Sequence, residues 1–161
     1  MTTIDRSEVR SLAANSPSLD EFAALVFTAV GESDPSEHLP TAGVVFSAID
    51  GTSGFRASVH KVDLIVRYVQ EIRTTNGWRT LRGGFRACLD EPVKGDRTLI
   101  GEFWFDNFGT TDSPGGVIHN FYKQHDRAPT IREDVAYWLA YEVQRHIEVK
   151  SHEAKVSPLN I

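Results

Sequence analysis

Cysteine is nearly absent from the chain: Cys88 stands alone among 161 residues. No internal disulfide can form, and no cysteine cluster can hold a structural zinc. Long apolar runs are absent too. No stretch approaches the roughly 18 apolar residues a membrane helix needs, and the opening MTTIDRSEVRSLAANSP has no apolar core of signal-peptide length. Complete catalytic signatures are also missing. There is no G-K-[ST] phosphate loop, no G-x-S-x-G elbow, and no HExxH, HxxxH or HxH spacing. These absences lead to the expectation of a soluble, cytoplasmic protein with no membrane segment, no metal and no cofactor.

Acidic charge prevails, unevenly. Residues 1–54 carry eight acidic and two basic side chains, residues 55–97 five and nine, and residues 98–161 nine and six, giving a net charge of −5. A nucleic-acid backbone calls for a basic face, so nucleic acid is excluded as a general partner. The basic middle third leaves room for a local anion site.

What is present is ordinary globular composition, 40% apolar and 24% charged, enough for one core. A short helix is expected over DRSEVRSLAA, residues 5–14, ended by Asn15-Ser16-Pro17. The segment SLDEFAALVFTAVGE opens with Ser18 and has Glu21 three residues on, a capping box. Leu19, Phe22, Ala23, Val26 and Val30 then share a helical face, so a helix is expected over about 19–31. Residues 32–43 read as a loop and GVVFSAID, 43–50, as a strand; a DGTSG turn leads into FRASV. In HKVDLIVRYVQEIRTT the spacing of Val62, Ile65, Val66, Val69 and Ile72 favours a third helix over about 60–74. Its β-branched content and the Asn76-Gly77 turn argue instead for a hairpin, in which Ile72 would face Leu81. Short extended runs follow: WRTLR, FRACLD, RTLIGEFWFDN and VIHNFY, with Gly83-Gly84 and EPVKGD read as breaks. Pro129, Thr130 and Glu133 then open a helix over about 130–148, with Ile131, Val135, Trp138, Leu139, Val143 and Ile147 on its apolar face. The expected fold class is α+β: an antiparallel sheet of about five to six strands with these helices packed on it. Residues 1–150 form one compact domain, and 151–161 a polar tail.

Two constellations are candidates for function. In GEFWFDNFGTTDSPGG, residues 101–116, strand alternation puts Leu99, Gly101, Phe103 and Phe105 on a core face. Ile100, Glu102, Trp104 and Asp106 fall on the other. Trp104 is then either an anchor for a partner or a side chain covered by the chain itself, as large aromatics mostly are. With Glu102, Asp106 and Asp112 around it, the stretch suits a partner protein with a basic surface. The second constellation is an anion site at Arg82 and Arg86, beside the Gly83-Gly84 step, with His119 or the helical pair Glu142–His146 as acid/base group. Arginines on a strand also serve simply to guard its edge, and Glu–His pairs at helical spacing are common on surfaces. A metal reading is weak, because the six-residue spacing of His119 and His125 gives no reason for them to converge.

The sequence therefore favours a non-enzymatic protein-binding domain, of the kind exemplified by small cytosolic inhibitors or immunity proteins that dock on and neutralise a partner. The alternative is a small-ligand enzyme or binder that uses Arg82, Arg86, His119, Glu142 and His146 between the sheet and the C-terminal helix.

Overall fold

A computed structural model describes residues 3–31, 41–49, 53–91, 98–122 and 128–156. Three α-helices, α1 (Arg6–Ala14), α2 (Ser16–Gly31) and α3 (Ala128–Val156), accompany six strands. The strands are β1 (Val45–Ala48), β2 (Gly54–Val59), β3 (Val62–Thr75), β4 (Trp78–Leu89), β5 (Leu99–Phe105) and β6 (Thr111–Asp112). They form a single antiparallel sheet in the order β1-β2-β3-β4-β5-β6, so every strand pairs with its neighbours in sequence. The fold is α+β, as expected. Among the described residues, no helix is long and apolar enough to cross a membrane.

Asp5 caps α1, its carboxylate accepting from the backbone N–H groups of Ser7 and Glu8 at 3.0 and 3.2 Å. α2 starts at Ser16 rather than after Ser18, so Pro17 sits in the first turn, where its missing N–H costs nothing. α3 likewise opens earlier than the Thr130 capping box suggested, and it runs on through Val156. The polar tail expected from residue 151 is thus helical to that point, and residues 157–161 lie outside the described residues. The expected apolar faces are buried: Leu19, Phe22, Ala23, Val26 and Val30 on α2, and Ile131, Val135, Trp138, Leu139 and Val143 on α3, with Ile147 only half-buried. Both pack on one face of the sheet, around Phe55, Phe85, Phe103, Phe105 and Phe121.

The third helix expected over about 60–74 does not form. That segment is β3, paired with β4 through the Asn76-Gly77 turn, with Ile72 opposite Leu81. Its helical-looking spacing arises because Leu64, Ile65 and Val66 are all buried, so both faces of the strand are apolar near its start. Nor do Gly83 and Gly84 break a strand, since β4 runs straight through them. A side chain at Gly83 would collide with the Phe105 ring on the helix face, and one at Gly84 with the Trp104 ring on the other face. The two glycines make room for two aromatics of the neighbouring strand.

The expected alternation along β5 holds from Gly101 to Phe105 but fails at its start. A bulge between Ala87 and Cys88 in the β4–β5 register leaves Leu99 exposed and turns Ile100 into the core. VIHNFY is not a strand either. Ile118 and Phe121 are buried as two separate plugs, and Phe121 stacks on Phe22 with ring centroids 5.9 Å apart. The loop over 32–40, most of EPVKGD, and His125 with Asp126 lie outside the described residues.

Candidate functional site

Trp104 faces away from the helices, on the side of the sheet that carries the charged residues. It is nevertheless only 6% exposed. Two arginines of β4 lie over it. The guanidinium of Arg82 lies 4.0 Å from the ring centroid and that of Arg86 5.7 Å, a cation–π arrangement over a ring seated on Gly84. Both arginines are also engaged by carboxylates. Arg82 donates to Glu71 through Nε, at 2.8 Å, and through Nη2. Arg86 Nε donates to Glu102 at 3.2 Å.

The other candidate residues are dispersed. Strand alternation puts Arg82 and Arg86 on the outer face, whereas Glu142 lies on α3 across the sheet, against Gly101 of β5. The sheet thus separates the arginines from the Glu142–His146 pair. His119 is tied to a residue the sequence did not single out: Asp134 Oδ2 lies 2.8 Å from His119 Nδ1 and 3.0 Å from its backbone nitrogen. This contact fastens the segment after β6 to α3.

On α3, Trp138, Glu142 and His146 follow one another at four-residue spacing and so form one stripe. Each has a buried polar atom (Nε1, Oε1 and Nε2) with no hydrogen-bond partner among the described residues. Burial pushes the Glu142 carboxyl above its ordinary range, against the opposing pull of the Arg145 guanidinium, which donates to its other oxygen at 3.1 Å. Burial also raises Tyr68, whose hydroxyl donates to Asp20 and accepts from Gln70, fixing α2 to the sheet. Among the described residues, no three His, Cys, Asp or Glu side chains gather as a metal site would require.

An open cleft of about 350 Å³ lies where β5 ends. One wall is Arg73 of β3 with Thr80, Leu81 and Arg82 of β4; the other is the chain from Asp106 to Asp112; Trp104 and Phe105 also line it. The second wall is a built turn. Asp106 Oδ1 accepts from the backbone N–H groups of Phe108 and Thr110 at 2.9 and 3.0 Å, and Asn107 donates to Asn15 at 3.3 Å. The turn thrusts Phe108 outward, 80% exposed, and Trp78 at the hairpin tip is 78% exposed.

Three of the four residues expected to meet a partner therefore belong to this cleft, in different roles. Trp104 is buried lining, Asp106 caps the turn, and Asp112 is exposed on the rim. Glu102 lies outside, paired with Arg86. Phe108 and Trp78 were missed. The Asp-x-Phe-Gly sequence of a tight turn could have flagged the first. Reading 62–75 as a strand would have placed the second at a hairpin tip. No family model, no curated protein and no solved structure matches the chain.

Proposed function

We propose that the protein is a binding domain that docks on another protein through the end of its sheet, at the cleft between β4 and the 106–112 turn. The observation that carries this reading is the exposure of Phe108 and Trp78, large aromatics at that same end, with the open cleft beside Phe108. Exposed aromatics next to a recess are what hot spots are made of, and each contributes through the water it excludes. Asp112 supplies the negative charge to meet a basic side chain of the partner. Neutralisation of that partner belongs to the same proposal, because a segment held in the cleft is withdrawn from its own protein.

The test is a kinetic binding assay on a protein that co-purifies from the native host. Phe108→Ser and Trp78→Ser should leave the melting temperature unchanged. Each should weaken binding by about 2 kcal/mol, some 30-fold, mostly through faster dissociation. Unchanged dissociation in both variants would sink the proposal.

A further inference from the structure

The β3–β4 hairpin is longer than the strands beside it. β5 follows β4 only as far as the Gly83–Phe105 pair, so among the described residues no strand pairs with Trp78–Arg82 on that side. The hairpin turn fixes which main-chain groups are left over. Asn76 and Gly77, both at positive φ, join Thr75 directly to its partner Trp78, a two-residue loop whose closing pair is hydrogen-bonded. Bonding alternates along an antiparallel ladder. Hence Trp78, Thr80 and Arg82 turn their N–H and C=O groups toward β3, and Arg79 and Leu81 turn theirs away. Two observed bonds confirm this parity: Leu89 donates to Thr98 on the β5 side, and Tyr68 donates to Ser53 on the β2 side. Among the described residues, no backbone hydrogen bond joins Trp78–Arg82 to the 106–112 wall. The cleft is the gap between them.

The devices that usually guard an open edge are not deployed here. The stretch has no proline, and its register with β3 is unbroken. Arg79 reaches back to Glu8 of α1 at 2.8 Å, and Arg82 folds over Trp104. Arg82 lines the cleft, but its guanidinium is already engaged by Glu71 and by the Trp104 ring.

We infer that this lane receives a single extended segment of a partner protein, which adds to the sheet beside β4 in line with β5. The inference rests on the docking reading above and specifies its partner. A lane walled on both sides admits a lone strand. It excludes the edge of a second copy, which would bring its own 106–112 wall. Five residues at about 3.3 Å each set the length near 16 Å, and the main-chain groups of Arg79 and Leu81 supply the bonds. Charge sets the polarity. Asp112 lies opposite Trp104 at the inner end, and Arg73 lies opposite Thr80 toward the tip. The segment therefore carries a basic side chain at the β5 end, apolar ones over Leu81 and Trp104, and an acidic one toward the hairpin tip.

The experiment starts from amide exchange on the full chain by NMR. In the free protein at high dilution, the Arg79 and Leu81 amides should exchange freely while those of Thr80 and Arg82 are protected. Protection of all four would show a lane already closed by the chain itself and overturn the inference. A random dodecapeptide phage library panned on the full chain then supplies a synthetic peptide. It should slow exchange at Arg79 and Leu81 by about tenfold or more. Arg79→Pro deletes a donor that β3 does not use and should cost about tenfold or more in affinity, while Arg79→Ala, which loses only the Glu8 pair, should bind nearly as wild type. If Arg79→Pro fails to fold, an amide-to-ester replacement at Leu81 makes the same test. Peptides weakened by Phe108→Ser but indifferent to both backbone changes would leave the docking reading standing and overturn strand addition. Failure to enrich any peptide would overturn strand addition alone, leaving docking to the partner assay. A dimer in sedimentation that Arg79→Pro abolishes would name a second copy as occupant and overturn the inference as well.

Discussion

Trp104 owes its burial to what is missing next to it. Gly84 gives the ring a flat backbone to lie on, and Arg82 and Arg86 close over it. Trp104→Ala should therefore lower stability by about 3–5 kcal/mol. Gly84→Val should cost about 1–3 kcal/mol by lifting the ring. Glu102→Gln, by contrast, should change stability little, since its pair with Arg86 is exposed. Urea denaturation of the three variants decides the matter, and an unchanged midpoint in Trp104→Ala would remove the ring from the fold's energetics. Glu142 makes a second case. It is 1% exposed, and burial raises its carboxyl above the ordinary value of 4.5. The folded chain therefore holds this proton more tightly than the unfolded chain. Stability must fall as pH rises from the ordinary value through the raised one, and level off above it. Glu142→Gln should abolish that component of the slope. Unfolding free energies for both proteins across about pH 4–8 would show it, and parallel curves would refute the shift.

At the scale of the element, legibility followed periodicity. α2 and α3 could be read because one face of each is buried and the other is wet, the condition under which a 3.6-residue period is visible. β3 could not. Where Leu64, Ile65 and Val66 are all enclosed, a strand has no dry-and-wet alternation to show, and the residues that remain can mimic a helix. The Asn76-Gly77 turn was the better guide, because both positions must hold positive φ and few other residues accept that. Gly83 and Gly84 misled for a related reason. A glycine in a strand looks like a break until the aromatic facing it is known, and Phe105 and Trp104 come from another strand. The candidate site was legible only in part. The sequence marked Trp104, Asp106 and Asp112 as neighbours in a stretch rich in aromatics and acids. It could not say that Asp106 is spent on a turn, or that Arg82 covers the tryptophan. Those facts depend on the register between strands, which a single strand's sequence does not contain.

Among the described residues, helices α2 and α3 cover one face of the sheet, and the other carries ion pairs such as Arg82–Glu71 and Arg86–Glu102 beside the buried Ile65 and Trp104. The acidic balance of the chain is thus compatible with an outer sheet face rich in arginine, because the basic middle third of the sequence is largely β2, β3 and β4. The strand order has a consequence in time. Each strand pairs only with the one before and after it, so the sheet can zip outward from its longest hairpin with short loop closures throughout. Among the described residues, the distant meetings are those of the helices: α3 with α2, with residues 41–43 and with β2, and α1 and α2 with β4. Folding should begin at Asn76-Gly77 and end with the helices. Gly77→Ala, which forces a side chain into positive φ at about 1–2 kcal/mol, should then mainly slow refolding, while Trp138→Ala should mainly hasten unfolding. Stopped-flow chevrons of the two variants measure this, and an effect of Gly77→Ala confined to the unfolding arm would reverse the order of events.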